Sequence, residues 1–145
     1  LPRLSSTFNE DLQKFKIATK DFSKLMMILG ILLFIPLILF SNQIISLTVG
    51  KAYLPASLCF RILVLAACLV LLNLPFSTGL ISAGFEKEVL KQVEACAVLN
   101  LALNFVLIPK FGMEGAAISF FFTEALGLTL ILLAYHRNIR QKIIF

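Results

Sequence analysis

The chain has 145 residues, 59% of them hydrophobic and 14% charged, with thirteen Lys or Arg against eight Asp or Glu and a formal net charge of +5. A soluble domain carries roughly 45–50% apolar and about 25% charged residues. At a mean hydropathy of +0.96, a chain this short could not hide its Leu, Ile and Phe from water without large exposed patches. An ordinary soluble domain, a disordered chain, a collagen repeat and a basic nucleic-acid-binding tail are thereby excluded, while a carrier, a channel and a membrane enzyme stay open.

Residues 1–24 read as a cytoplasmic amphipathic connector. Leu4, Phe8, Leu12, Phe15 and Phe22 recur mostly at three- or four-residue spacing, and Glu10, Asp11, Lys14, Lys16 and Lys20 interleave with them. That pattern suits a helix lying at the membrane interface, with its lysines toward anionic headgroups. It suits better a solvated connector whose apolar side packs on the bundle. The mixed charge of this segment does not fit a secretory signal peptide.

Residues 25–145 read as a four-helix transmembrane part of an all-α polytopic membrane bundle. No charged residue falls between Lys24 and Lys51 or between Arg61 and Glu86, and about 20 residues of helix cross roughly 30 Å of hydrocarbon. The first two spans are predicted at 25–47 and 56–80. A third is predicted at 89–108, with Lys91 and Glu94 near its start, and a fourth at 115–135 with Glu124 inside. Pro109 to Gly112 leave room only for a short turn, so the last two helices should be antiparallel neighbours. The long continuous apolar stretches lack the period-two alternation of membrane strands.

Basic residues set the orientation. Arg3, Lys14, Lys16, Lys20, Lys24, Lys87, Lys91, Arg137, Arg140 and Lys142 fall on one side, and Lys51, Arg61 and Lys110 on the other. The positive-inside rule then puts both ends of a multi-pass membrane protein in the cytoplasm.

Residues that interrupt the apolar pattern are the candidate sites. Glu124 lies roughly 14 Å along a helix starting near Gly115, close to the bilayer midplane, where a carboxylate should face the bundle interior or a wet cavity. It could couple transport to a gradient, bind a polar substrate or cation, or bond to a neighbouring span. Arg61 either snorkels to the outer interface or faces inward to attract an anionic group. Glu94 either pairs with Lys91 or Lys87 or caps a cavity entry. Asn100 and Asn104 share one helix face with Cys96. They serve as interhelical bonds or as substrate ligands. Pro36, Pro75 and Pro109 are structural positions where a helix loses a backbone bond, and Gly112 and Gly115 permit a turn and close helix approach.

No enzyme centre is visible. His136 is the lone histidine, Cys59, Cys68 and Cys96 form no CxxC pair and read as core thiols, and there is neither a Walker motif nor a GxGxxG loop. The reading is a non-enzyme without bound cofactor or metal.

The stretch Asn100-Leu-Ala-Leu-Asn104-Phe-Val-Leu-Ile-Pro109-Lys-Phe-Gly112-Met-Glu-Gly115-Ala-Ala-Ile-Ser resembles a signature of the polysaccharide biosynthesis flippases, within the multidrug/oligosaccharidyl-lipid/polysaccharide exporter superfamily. Leu1-Pro-Arg-Leu-Ser-Ser, Phe15 through Pro36, Ser46-Leu-Thr-Val-Gly50-Lys-Ala-Tyr53 and Gly79-Leu-Ile-Ser-Ala-Gly84 resemble other parts of those carriers. The resemblance spans nearly the whole chain. It implies a C-terminal fragment of a 12–14-helix alternating-access carrier whose N-terminal part is missing. It further implies flipping of undecaprenyl-pyrophosphate-linked oligosaccharide units for polysaccharide or O-antigen biosynthesis, driven by a proton or sodium gradient. Implied partners are membrane lipid, the lipid-linked oligosaccharide, and polysaccharide polymerase and glycosyltransferase neighbours, with no nucleic acid. A cation-coupled multidrug antiporter of the same superfamily and a non-transporting structural membrane subunit are the alternatives.

Overall fold

The structure, a computed structural model, describes residues 12–141, and every regular element in them is helical. Helix α1 spans Leu12–Leu39 and α2 spans Ser41–Thr48, followed by a 3-10 turn at Lys51–Ala56. Helix α3 spans Ser57–Ser82 and α4 spans Glu86–Gln141. Arg3, Leu4, Phe8, Glu10, Asp11 and Lys142 lie outside the described residues, as does the resemblance at residues 1–6.

Among the described residues, three continuous helices are long and apolar enough to cross a membrane. The third is folded on itself. A straight 56-residue α4 would reach roughly 84 Å, far beyond a bilayer. Gly112, at φ 56 and ψ −130, leaves helical geometry, and a backbone of that hand costs little only for glycine. The chain then doubles back. Arg137 meets Glu88 at 2.6 Å, and Asn100 donates to Thr123 Oγ1 at 3.2 Å. The result is a hairpin with arms 86–111 and 113–141. Helical geometry persists through Pro109, so the reversal needs one residue instead of the predicted Pro109–Gly112 turn.

The first span also differs from its predicted bounds. It ends at Leu39, not at residue 47, because the chain turns at Phe40 (φ −97, ψ 16) into the short α2. Polar Ser41 opens that helix, is buried, and accepts a hydrogen bond from Arg61. At the other end the helix runs unbroken through residues 24 and 25, where charge placed the edge of the connector.

Helix α3 ends in a Schellman motif. Gly84 has φ 82, Phe85 N–H reaches Leu80 O at 2.9 Å and Gly84 N–H reaches Ile81 O at 3.1 Å, which satisfies carbonyls the helix end leaves open. Phe85 then packs on Phe15, Ala83 and Ile139, tying α1, α3 and the second arm together. Helix α3 packs on both α1 and α4. Helix α1 is peripheral: 6% of its most apolar stretch is buried, against 28% for α4. Leu25, Ile28, Ile31, Leu32 and Leu39 are exposed along it, which in water would be a large uncompensated cost. This is the surface of a polytopic membrane bundle.

Candidate functional site: a polar groove between α3 and the hairpin

Side chains at residues 70, 73, 74 and 77 share one face of α3, and those at 89, 92, 93, 96 and 100 share one face of the first arm. With Phe120, Thr123 and Glu124 of the second arm they enclose a groove of about 500 Å³. Asn73, Ser77, Gln92, Cys96, Asn100, Thr123 and Glu124 are its polar members. Polar groups in this number are costly inside an apolar bundle unless bonded or wet.

Some of them are bonded to one another. Asn104 donates to Asn100 Oδ1 at 2.9 Å, Asn100 donates to Thr123 Oγ1 at 3.2 Å, and Thr123 donates to Ser119 O at 2.8 Å. The Cys96 thiol points to Thr123 O at 3.6 Å. This ladder joins the two arms, and each such bond between membrane helices is worth about 0.6–2 kcal/mol. Gly127 lets the groove close: a Cβ there would lie 2.7 Å from Gln92 Nε2 and 3.6 Å from Asn73 Nδ2.

Glu124 is different. It is half-buried; among the described residues it is the only charged side chain lining the groove and has neither an ion pair nor a hydrogen bond. Its carboxyl is therefore available to a proton, a cation or a ligand hydroxyl.

Of the five candidates read from the sequence, the structure brings Glu124 and Asn100 into this groove and leaves three out. Asn104 supports Asn100 but faces a small apolar notch with Leu101, Phe105, Ile108 and Pro109, and its Oδ1 is buried without a partner among the described residues. Glu94 is exposed and absent from the groove lining. Of the two lysines offered as its partner, Lys91 instead bonds Glu88 at 2.9 Å. Arg61 lies twelve residues before Asn73 on α3, roughly 18 Å along the axis. Its Nε donates to Ser41 Oγ at 2.6 Å and its Nη2 to Asn42 Oδ1 at 3.3 Å, so the guanidinium ties α2 to α3.

Pro36, Pro75 and Pro109 all sit inside helices. Pro75 is fully buried beside the groove, and Thr78 donates to Leu74 O at 2.6 Å in the turn around it. Gly115 abuts Leu107 O of the opposite arm. Sequence reasoning missed Asn73 as a groove residue, along with Ser77, Gln92 and Thr123. The signal was present: Gln92, Cys96 and Asn100 repeat every four residues, as do Asn73 and Ser77. Among the described residues no group of His, Cys, Asp and Glu could hold a metal ion.

No family model, curated protein or solved structure matches the chain.

Proposed function

We propose that the chain is part of the second half of an alternating-access carrier that flips undecaprenyl-pyrophosphate-linked oligosaccharide units toward the outer leaflet. The sequence resemblance supports this reading, and so does a bundle of long apolar helices. The observation that carries it is the groove. Amides and hydroxyls facing an open space within apolar helices suit a polar occupant such as a sugar. Glu124, unpaired and roughly 17 Å along its arm, suits the proton or cation of a driving gradient.

One observation favours the antiporter reading. Among the described residues Glu124 is the only charge in the groove, and Arg61 stands at the far end of the bundle. A groove with one carboxylate and no cation fits an organic cation at least as well as a pyrophosphate.

The test uses the intact carrier in sealed vesicles with an imposed proton gradient. Wild type should move lipid-linked oligosaccharide against its concentration. Glu124→Gln should abolish that uphill movement yet retain exchange of substrate across the membrane. Uphill efflux of an organic cation with no glycan movement would replace the flippase reading by the antiporter. Full uphill flipping by Glu124→Gln would remove this residue from the mechanism.

A further inference from the structure

A second crevice, of about 380 Å³, lies at the basic end of the bundle between α1, α3 and the second arm. On α1, Lys16, Thr19, Lys20 and Ser23 line it, and their i, i+3, i+4, i+7 spacing places them on one face. Its floor is aromatic. Phe76 of α3 meets Tyr135 edge-on, with ring centroids 5.3 Å apart at 77°. Gly79 permits this closeness, since a Cβ there would come to 3.2 Å from Tyr135 and 3.6 Å from Thr19.

Among the described residues no Asp or Glu lines the crevice. Three other cations at this end are paired: Lys24 with Asp21 at 3.8 Å, and Lys91 and Arg137 sharing the one carboxylate of Glu88. Among the described residues Lys16 and Lys20 have no such partner. Two ammonium groups without a carboxylate partner among the described residues thus stand over a floor of Phe76 and Tyr135. Farther along α1 the same face continues into Met27 and Ile31, which are 50% and 55% exposed. Positive charge followed by open apolar surface matches an anionic head and its tail.

We infer that this crevice binds the phosphate group of a membrane lipid. Lys16 and Lys20 supply the charge, Ser23 a hydroxyl donor, and Met27 and Ile31 the track for a lipid chain. Lys is a compact charge suited to phosphate, and Tyr is at home where apolar core meets headgroup. The inference needs only that the bundle lies in a bilayer, and it stands whether or not the carrier moves glycan. Two lipids offer this chemistry: a bulk anionic glycerophospholipid and a polyprenyl diphosphate.

The full chain, purified in mild detergent, is offered phosphatidylglycerol and polyprenyl diphosphate in turn, and retained lipid is read by native mass spectrometry. The Lys16→Gln/Lys20→Gln pair should lose about ten- to thirtyfold in affinity for the retained lipid. Lys24→Gln/Lys91→Gln removes the same charge from the same end but outside the crevice, and should stay within about twofold of wild type. Lys16→Arg/Lys20→Arg should restore binding and thereby separate charge from folding. The more tightly held probe identifies the source. Equal losses in the two Gln pairs, or undiminished binding in the first, would overturn the site. Displacement of both lipids by millimolar inorganic phosphate would make it a free-phosphate site and overturn the lipid assignment.

Discussion

Glu88 stands at the start of α4, before its apolar stretch, and holds two helix arms together. It accepts from Lys91 at 2.9 Å within its own arm and from Arg137 at 2.6 Å across the hairpin. The Lys91 hydrogen bond, more than any other influence, holds its carboxyl below the usual carboxylate range, with the Lys91 and Arg137 charges adding to it. A folded-state pKa lowered in this way stabilises the fold above the unfolded-state value of about 4.3 and ceases to do so as pH falls through the folded value. Glu88→Gln should therefore unfold at a lower temperature than wild type at pH 7. The gap should close in strongly acidic buffer, where both chains are neutral at this position. Thermal unfolding in detergent across that pH range is the check, and a gap independent of pH would assign the effect to packing.

The hairpin is the element on which the groove depends, and glycines set its spacing. Gly115 abuts a backbone carbonyl, Leu107 O, while a Cβ on Gly127 would meet the far end of the Gln92 side chain. A carbonyl inside a helix cannot move without its neighbours, whereas a glutamine terminus can swing. Gly115→Ala should cost about 1–3 kcal/mol, as overpacking does, and Gly127→Ala under about 1 kcal/mol. Graded denaturant unfolding of both variants tests the order. The reverse order would mean that the arms are not pinned at Leu107. Loss of the Gln92 position should instead show in groove function, because Gln92 lines it.

Across the whole molecule, the fold gathers charge at one end. Phe15 packs with Ile139 and Arg137 pairs with Glu88, which brings Lys16, Lys20, Lys87, Lys91 and Arg137 together. Lys51 precedes α3 and Lys110 adjoins the reversal at Gly112, both away from that end. With the basic end inside, single-cysteine variants on a background lacking Cys59, Cys68 and Cys96 should divide in intact cells. A membrane-impermeant maleimide should label Lys51→Cys and Lys110→Cys directly, and Lys20→Cys and Arg137→Cys only after permeabilisation. The opposite labelling would invert the orientation, and labelling of all four in intact cells would overturn the spanning arrangement.

Much of this architecture was legible in the residues. Continuous apolar stretches without charge dictate helices long enough for a bilayer, because an unbonded backbone is too costly there. The 59% hydrophobic content and the clustering of lysine and arginine therefore determined a helical membrane bundle with one basic end. Glu124 and Asn100 stood out for the same reason, as polar groups in apolar runs. Pairing across helices was not legible, because it depends on which faces meet. That Arg61 ties α2 to α3 was decided by the turn at Phe40 that starts α2, and that Asn73 and Gln92 join Glu124 in one groove by the packing of α3 against the hairpin. So was the single-residue reversal at Gly112: the sequence offered a proline and a glycine three residues apart, and only the contacts between the two arms selected the glycine.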